Sequence, residues 1–280
     1  MKVFFTRSVS HLAHASGQEI GTIAFDHFSD GELRVRIQDE VAGKEVWLVG
    51  ATPTPAENIV EICLVLDALC KAGAKVNLLI TYFGYARQDT MKKGESLSAA
   101  VLAHFFDQFS LNRFLVLHMH NPTFQHDVRF KSIINDAFFD ELAKQADIIV
   151  APDRGAMQLA TSIAERCRKK TIFMHKVRPE VDQVELSFEG DVRGKSVLIV
   201  DDMITTGRTI TQAAQLLKDA GAQKIIGAAT HGIFSMHAFD LIEKSALEKL
   251  YVTNSIAQHY QHSRIETISL VPFINELVAI

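Results

Sequence analysis

The sequence predicts an α/β protein with two domains, each a mainly parallel sheet flanked by helices. Short apolar runs, typical of strands buried on both faces, alternate along the chain with longer segments of helical periodicity. This alternation is typical of β-α-β units. The chain has 280 residues, 48% of them hydrophobic and 22% charged, which is enough for two compact domains of ordinary size.

The predicted strands share a near-continuous apolar character. They are VFF from Val3, VWLVG from Val46, VNLLITYF from Val76, RFLVLHMH from Arg113, DIIVA from Asp147, TIFMHK from Thr171, SVLIV from Ser196 and KIIGAATH from Lys224. The predicted helices carry apolar residues at spacings of three and four, which places these residues on one face. These residues are Ile59, Ile62, Cys63, Leu66, Leu69 and Cys70, then Ala156, Leu159, Ala160, Ile163 and Cys167, then Ile210, Ala213, Ala214 and Leu217.

The two halves of the chain each show strand–helix alternation, and a fresh strand begins near Gln145–Asp147. We therefore expect one domain over residues 1–145 and a second over residues 146–280. Domains of this size agree with the usual range for compact units.

Composition and charge exclude several classes of protein. The net charge of −4 argues against a dedicated nucleic-acid surface, and no apolar run approaches the roughly 18 residues that span a bilayer. The N-terminal stretch MKVFFTRSVSHLAHASG has too short an apolar run for a secretory signal. Cys63, Cys70 and Cys167 are odd in number and lack a CxxC spacing, which makes disulfide and zinc frameworks unexpected. We expect a cytoplasmic protein without membrane or nucleic-acid partners.

The segment VLIVDDMITTGRTI (Val197–Ile210) places Asp201 and Asp202 at the carboxyl end of a buried strand, where open α/β sheets collect ligands. A helix is predicted to begin near Thr206 or Gly207, so its free amides and positive dipole would suit a phosphate. The carboxylates would suit hydroxyls or a divalent cation. The alternative is an ordinary turn with an Asp cap, but two adjacent buried carboxylates are too costly for that role alone.

This segment resembles the phosphoribosyl-diphosphate-binding motif of the type I phosphoribosyltransferase fold. The resemblance implies that Asp201 and Asp202 hold the ribose 2- and 3-hydroxyls. It also implies that the 5-phosphate lies against Thr205, Thr206, Gly207, Arg208 and Thr209. Thr205 stands where many members have Asp, and Arg208 stands where they have Gly. Arg208 could add a phosphate contact, but it would cost about 1 kcal/mol or more if its position requires a positive φ.

Further stretches resemble the ribose-phosphate diphosphokinase family along nearly the whole chain. HFSDGELRVRI (His27–Ile37) resembles the nucleotide loop, which implies that Phe28 stacks on adenine and that Asp30 and Glu32 hydrogen-bond to it. A core phenylalanine is the alternative for Phe28. YFGYARQDTMKKGESLSA (Tyr82–Ala99) implies ATP contacts, with a solvated charge cluster as the alternative. The residues concerned are Arg87, Gln88 and Asp89.

Two stretches of the resemblance concern a metal ion. FLVLHMHNP places His118 where the family has a histidine that contacts metal and nucleotide, although Leu117 replaces the usual acid before it. VAPDRGAMQLATSIA places Asp153 where it would help to position Mg²⁺, with a helix cap as the competing role. The roles of His120 and His126 stay open between site and surface.

FMHKVRPEVDQVEL (Phe173–Leu186) has Lys176 and Arg178 two residues apart, leaving a strand for a polar loop, so that both side chains point to one face. This resembles the catalytic flexible loop of the family, whose Lys and Arg cover the transferring phosphates. A solvated basic rim is the alternative.

The resemblance as a whole implies two tandem type I phosphoribosyltransferase-like domains, with the last ~15 residues packing back on the first domain. It implies diphosphoryl transfer from MgATP to ribose 5-phosphate by a homo-oligomer, either dimer or hexamer. The alternatives are a phosphoribosyltransferase that consumes phosphoribosyl diphosphate, and a non-catalytic regulatory relative.

Overall fold

The computed structural model describes residues 1–13, 17–90, 93–121, 128–180 and 183–279. Within these ranges, the side chains of residues 176–180 and 183–185 lie outside the description. The position of His126 also falls outside the described residues.

The chain divides into two compact units. The first comprises Met1–Ile134, Ser255–Ala257 and Ser269–Ile280, and the second comprises Asn135–Asn254 and Gln258–Ile268. The second unit thus begins before the position predicted from the sequence, between residues 145 and 146, because the helix Asp136–Ala143 belongs to it. Asn135 caps this helix by accepting a hydrogen bond from the Phe138 amide at 3.3 Å.

The strands of the first unit are β1 (Lys2–Phe5), β2 (Glu19–Ile20), β3 (Ile23–His27), β4 (Leu33–Ile37), β5 (Glu45–Gly50), β6 (Lys75–Ile80), β7 (Leu111–Leu117) and β8 (Lys131–Ile133). Over the described residues they form a parallel sheet of order β2-β1-β5-β6-β7-β8 and an antiparallel hairpin of β3 and β4. The helices of this unit are α1 (Ser10–Ala13), preceded by a 3₁₀ turn at Arg7–Val9, α2 (Glu57–Lys71), α3 (Ser98–Asp107) and α8 (Val271–Ala279).

The strands of the second unit are β9 (Ile148–Ala151), β10 (Lys170–Glu180), β11 (Gln183–Phe188), β12 (Ser196–Ile204), β13 (Lys224–Gly232), β14 (Lys249–Thr253) and β15 (Ile265–Ile268). Their order in the sheet is β11-β10-β9-β12-β13-β14-β15, and they are parallel except for the antiparallel pair β10–β11. The helices of this unit are α4 (Asp136–Ala143), α5 (Met157–Cys167), α6 (Arg208–Asp219) and α7 (Ala238–Glu243).

Apolar helix faces pack on both sheets to form the cores. In α6 the buried residues are those predicted from their spacing: Ile210, Ala213, Ala214 and Leu217. In the first unit, Leu270, Val271, Ile274 and Val278 of the last segment pack with Val3 and Trp47. Burial of the Cys63 thiol on the α2 face raises its pKa to about 11. No helix in the described ranges is both long and apolar enough to cross a membrane.

Candidate active site

The acidic pair lies within the middle strand of the second sheet. Asp201 pairs with Ala229 of β13, and the ladder continues to Ile204, which pairs with Gly232. The strand was predicted to end at Val200, so the prediction was too short. The carboxylates are tied to the backbone, because the Asp202 amide donates to Asp201 Oδ1 at 2.9 Å and the Met203 amide donates to Asp202 Oδ1 at 2.8 Å.

The Asp201 carboxyl is largely enclosed by protein, although the residue as a whole is only partly buried. Loss of water, followed by the charges of Asp202 and Asp153, raises the pKa of Asp201 well above its ordinary value. An acid in this setting gains from hydroxyl donors or a cation that would stabilise its ionised form.

The turn after β12 leads directly into α6. Gly207 has φ of +76°, the left-handed conformation that glycine adopts at little cost, and it precedes the first helical residue, Arg208. The Thr211 amide closes the first turn on the Gly207 carbonyl at 3.1 Å, and the Arg208 amide donates to Thr206 Oγ1 at 3.4 Å. The N-terminus of a helix of this length carries a partial positive charge, so the turn favours an anion.

Arg208 is exposed and opens α6 with a negative φ, so the cost that a positive φ would impose does not arise. The left-handed residue is its neighbour Gly207. The structure thus corrects the concern that Arg208 strains the turn.

Asp153 follows β9, which is hydrogen-bonded to β12 in the sheet. Its Oδ1 accepts hydrogen bonds from the amides of Gly155 at 2.9 Å and Ala156 at 3.4 Å, just before α5. The carboxylate therefore orders the turn that begins the helix. Within the described ranges no three His, Cys, Asp or Glu side chains are grouped closely enough to bind a metal without further ligands.

The predicted nucleotide loop forms the tip of the β3–β4 hairpin. Phe28 is 52% exposed, so the alternative of a core phenylalanine is wrong, and the Arg34 guanidinium lies 5.4 Å from its ring centroid. Asp30 Oδ1 accepts from the Glu32 amide at 3.2 Å, and all three predicted contact residues of this loop are exposed. An exposed aromatic ring at a fixed hairpin tip is suited to stacking on a base.

The other residues of the first unit that were predicted to contact the nucleotide differ in their exposure and hydrogen bonding. Arg87 is exposed and Asp89 partly buried, whereas the Gln88 Oε1 accepts hydrogen bonds from the hydroxyls of Ser96 and Ser98. Gln88 therefore ties its loop to the start of α3.

The predicted histidines follow β7. His118 is 7% exposed, has φ of +42° and donates its amide to the Ile133 carbonyl at 2.6 Å. His120 is exposed.

Lys176 and Arg178 lie in β10, and Lys176 pairs with Leu186 of β11. The prediction that they leave the strand for a loop is therefore wrong for the backbone. Pairing becomes irregular between Val177 and Glu180. Their side chains lie outside the described part of the chain.

Residues 233–237 had no predicted role in the site. They follow β13 and hydrogen-bond to the end of β12 and to the turn after it. The signal is conformational: Phe234 and Met236 have positive φ, which residue types alone do not reveal.

A doubly wound α/β unit with an acidic pair, a phosphate-type turn and a helix after its middle strand defines a protein of the phosphoribosyltransferase fold class. A family model described as the N-terminal domain of ribose phosphate pyrophosphokinase matches residues 2–109. A second, described as a phosphoribosyl synthetase-associated domain, matches residues 176–279.

Curated relatives match nearly the whole chain. Ribose-phosphate pyrophosphokinase from Chlorobaculum tepidum is 33% identical, with coverage of 99% of this chain and 91% of the relative. The protein of that name from Thermotoga maritima is 32% identical, with coverage of 99% and 94%. The crystal structure of phosphoribosylpyrophosphate synthetase from Mycobacterium smegmatis is similar with a TM-score of 0.86 and 25% identity, covering 99% of this chain and 97% of that one. The chain belongs to the ribose-phosphate pyrophosphokinase family, also called ribose-phosphate diphosphokinases.

Proposed function

We propose that the chain transfers the β,γ-diphosphoryl group of ATP to the C1 hydroxyl of ribose 5-phosphate. The products are AMP and 5-phosphoribosyl 1-diphosphate. The observation that carries the proposal is the enclosed acidic pair on β12 followed by the phosphate-type turn, in a chain of this family. The C1 oxygen attacks the β-phosphorus, the bond from that phosphorus to the α,β-bridging oxygen breaks, and AMP departs with this oxygen.

Ribose 5-phosphate binds in the second unit in this proposal. Asp201 and Asp202 accept hydrogen bonds from the ribose 2- and 3-hydroxyls, which repay the cost of enclosing the two charges. The 5-phosphate receives hydrogen bonds from the amides at the start of α6 and from the side chains of the turn. The turn and first helical residues concerned are Thr205, Thr206, Gly207, Arg208 and Thr209.

The nucleotide binds to loops of the first unit. The exposed Phe28 ring stacks on adenine while Asp30 and Glu32 accept hydrogen bonds from its exocyclic amine. Arg87 makes charge-assisted contacts with phosphate oxygens. Gln88 and Asp89 hold the same loop against the nucleotide, and His118 contacts the phosphates.

The donor chemistry in the second unit fits Mg²⁺. Asp153 and the acidic pair offer the carboxylate oxygens that this ion prefers, and substrate phosphates commonly complete its coordination. In the first unit, His118 is proposed to contact the metal, as the resemblance to the family implies, although an imidazole is a less typical Mg²⁺ ligand than a carboxylate. When bound, Mg²⁺ neutralises phosphate charge and orients the triphosphate.

Lys176 and Arg178 stabilise the negative charge that develops on the transferring phosphates. Both residues belong to β10. Cationic groups fixed at a developing charge lower the barrier more than they tighten substrate binding.

We further propose that the protein is a homo-oligomer, either a dimer or a hexamer, in which the Phe28 hairpin of one subunit completes the nucleotide site of another. The exposed position of the ring supports this. A cytoplasmic location is supported by the free thiols of Cys63, Cys70 and Cys167.

Phosphorus NMR of the purified protein with Mg²⁺, ATP and ribose 5-phosphate tests the reaction. AMP appearing together with a sugar-linked diphosphate is the expected result. Formation of ADP with a sugar phosphate would indicate ordinary monophosphoryl transfer instead. Consumption of added phosphoribosyl diphosphate with a base, without reaction of ATP, would indicate a phosphoribosyltransferase.

A further inference from the structure

The segment after β13, Ile233–His237, is hydrogen-bonded to the end of β12 and to the turn that follows. The amides of Ile233 and Phe234 donate to the Ile204 carbonyl at 2.9 and 3.1 Å, and the Ser235 amide donates to the Thr205 carbonyl at 2.8 Å. Three consecutive amides of this segment therefore hold two consecutive carbonyls, that of the last residue of β12 and that of the first residue after it.

These bonds determine where the next amides of the turn point. In a planar trans peptide the carbonyl and the N–H point in opposite directions. Because the Ile204 and Thr205 carbonyls face the 233–237 segment, the N–H groups of Thr205 and Thr206 face away from it. Neither N–H donates a hydrogen bond within the described part of the chain. They are therefore available to an anion beside the start of α6.

The segment holds an unfavourable backbone conformation. Phe234 has φ of +48° and Met236 has φ of +58°, both in the left-handed region that disfavours residues with a Cβ. Such residues keep this conformation only where surrounding contacts impose it, and they concentrate at functional sites. Met236 is 87% exposed, so its side chain does not supply those contacts.

The Phe234 ring supplies them. It stacks on Phe239 with centroids 5.3 Å apart and meets the edge of Tyr260 at 5.1 Å. Gly232 provides the space, since a Cβ there would lie 2.4 Å from the ring. The ring is thus held by α7 and by the chain before β15, both in the second unit.

The geometry points to Phe234 as a positioning residue for ribose 5-phosphate. Its anchored ring holds Phe234 in the left-handed conformation, the segment 233–237 then holds the Ile204 and Thr205 carbonyls, and the carbonyls turn two amides toward the 5-phosphate. This inference rests on the proposed function of the turn. It adds an aromatic anchor that does not touch the substrate.

Two variants of the full-length protein test the inference. Phe234→Ala removes the anchor, and Ser235→Pro removes the amide that holds the Thr205 carbonyl. Phe138→Ala is the control, because it also removes a ring from an aromatic pair of the second unit, in α4, with centroids 4.8 Å apart. Steady-state kinetics would be measured for each substrate together with the melting temperature.

We expect both test variants to raise the KM for ribose 5-phosphate roughly ten-fold or more, as for a weakened hydrogen bond to a charged group. The KM for ATP should change little, and so should kcat. Phe138→Ala should lower the melting temperature without changing the KM for ribose 5-phosphate. An unchanged KM in either folded test variant, or an equal rise in Phe138→Ala, would overturn the inference.

Calorimetry separates this inference from the proposed reaction. If the wild-type protein shows no turnover, the proposed reaction fails, and ribose 5-phosphate would then be titrated into wild type and Phe234→Ala. Weaker binding by the variant would still support the positioning role. Equal binding, or no binding to wild type, would refute it.

Discussion

Replacing Arg208 by alanine should raise stability and lower substrate affinity at the same time. Arg208 is the first residue of α6 and is exposed beside the turn proposed for the 5-phosphate. Within the described residues its guanidinium has no ion-pair partner. Within the described residues, its removal therefore breaks no hydrogen bond or ion pair of the side chain.

The two effects have different magnitudes. A cation at the positive end of a helix is unfavourable by about 0.3–1 kcal/mol at low ionic strength, so alanine should stabilise the fold by that amount. A charge-assisted hydrogen bond to phosphate contributes about 1.5–3 kcal/mol. Losing it would raise the KM for ribose 5-phosphate roughly ten- to a hundred-fold.

Lys218 gives a matched control at the other end of the same helix. It is exposed in the last turn of α6, where a cation is favourable. Lys218→Ala should therefore destabilise the fold by about 0.3–1 kcal/mol and leave the KM for ribose 5-phosphate unchanged.

Urea unfolding followed by circular dichroism, at low and high salt, would measure both stability changes, and steady-state kinetics would measure the KM. The two stability changes, which have opposite signs, should both become smaller at high salt because salt screens the helix dipole. If Arg208→Ala and Lys218→Ala shift the free energy of unfolding in the same direction, the dipole argument is refuted. If Arg208→Ala leaves the KM unchanged, Arg208 does not bind the phosphate.

Three further substitutions test other parts of the site. Burial and neighbouring carboxylates raise the pKa of Asp201 in the folded state, so the contribution of Asp201 to wild-type stability should fall as pH rises from near 3.8 through the raised pKa. Asp201→Asn should remove this fall and be more stable at neutral pH in urea unfolding; an unchanged pH profile would contradict the enclosed charge. Lys176→Ala should lower kcat by orders of magnitude with little change in the KM for ribose 5-phosphate, and turnover within a few-fold of wild type would exclude the catalytic assignment. Phe28→Ala should raise the KM for ATP roughly ten-fold by removing a stacking partner, whereas Phe105→Ala, at an equal 52% exposure, should not; equal effects would argue against stacking.

The acidic pair, the turn and α6 could be predicted from the sequence because the residues that indicate them follow one another without a gap. Apolar residues, two carboxylates, a turn and a helical pattern follow one another within 14 residues, Val197–Ile210. The helix begins at Arg208, one or two residues after the predicted start. The extent of β12 was not predictable in the same way, because Asp201 stays in the strand through its pairing with Ala229 of β13. That pairing is a tertiary contact, and carboxylates have a low intrinsic preference for strands.

The same reason explains the wrong prediction for Lys176 and Arg178. The sequence PEVDQ after Arg178 is typical of a polar loop, yet β10 continues to Glu180 because β11 pairs with it in the antiparallel direction. Where two strands extend from the edge of a sheet, each is ordered by its pairing with the other, and their sequences show little apolar periodicity.

The aromatic anchor is the part of the site that local sequence patterns are least able to reveal. Phe234, Phe239 and Tyr260 lie on three different segments, and only the fold brings their rings within about 5 Å of one another. The conformation that they impose on Phe234 would ordinarily be assigned to glycine, so residue type gives the wrong expectation. The acidic pair and the helix terminus supply the charges of the proposed ribose 5-phosphate site, and these charges can be read from the residue types and the helix pattern. The direction of the turn amides depends on packing more than 20 residues away in the chain, and it therefore requires the three-dimensional structure.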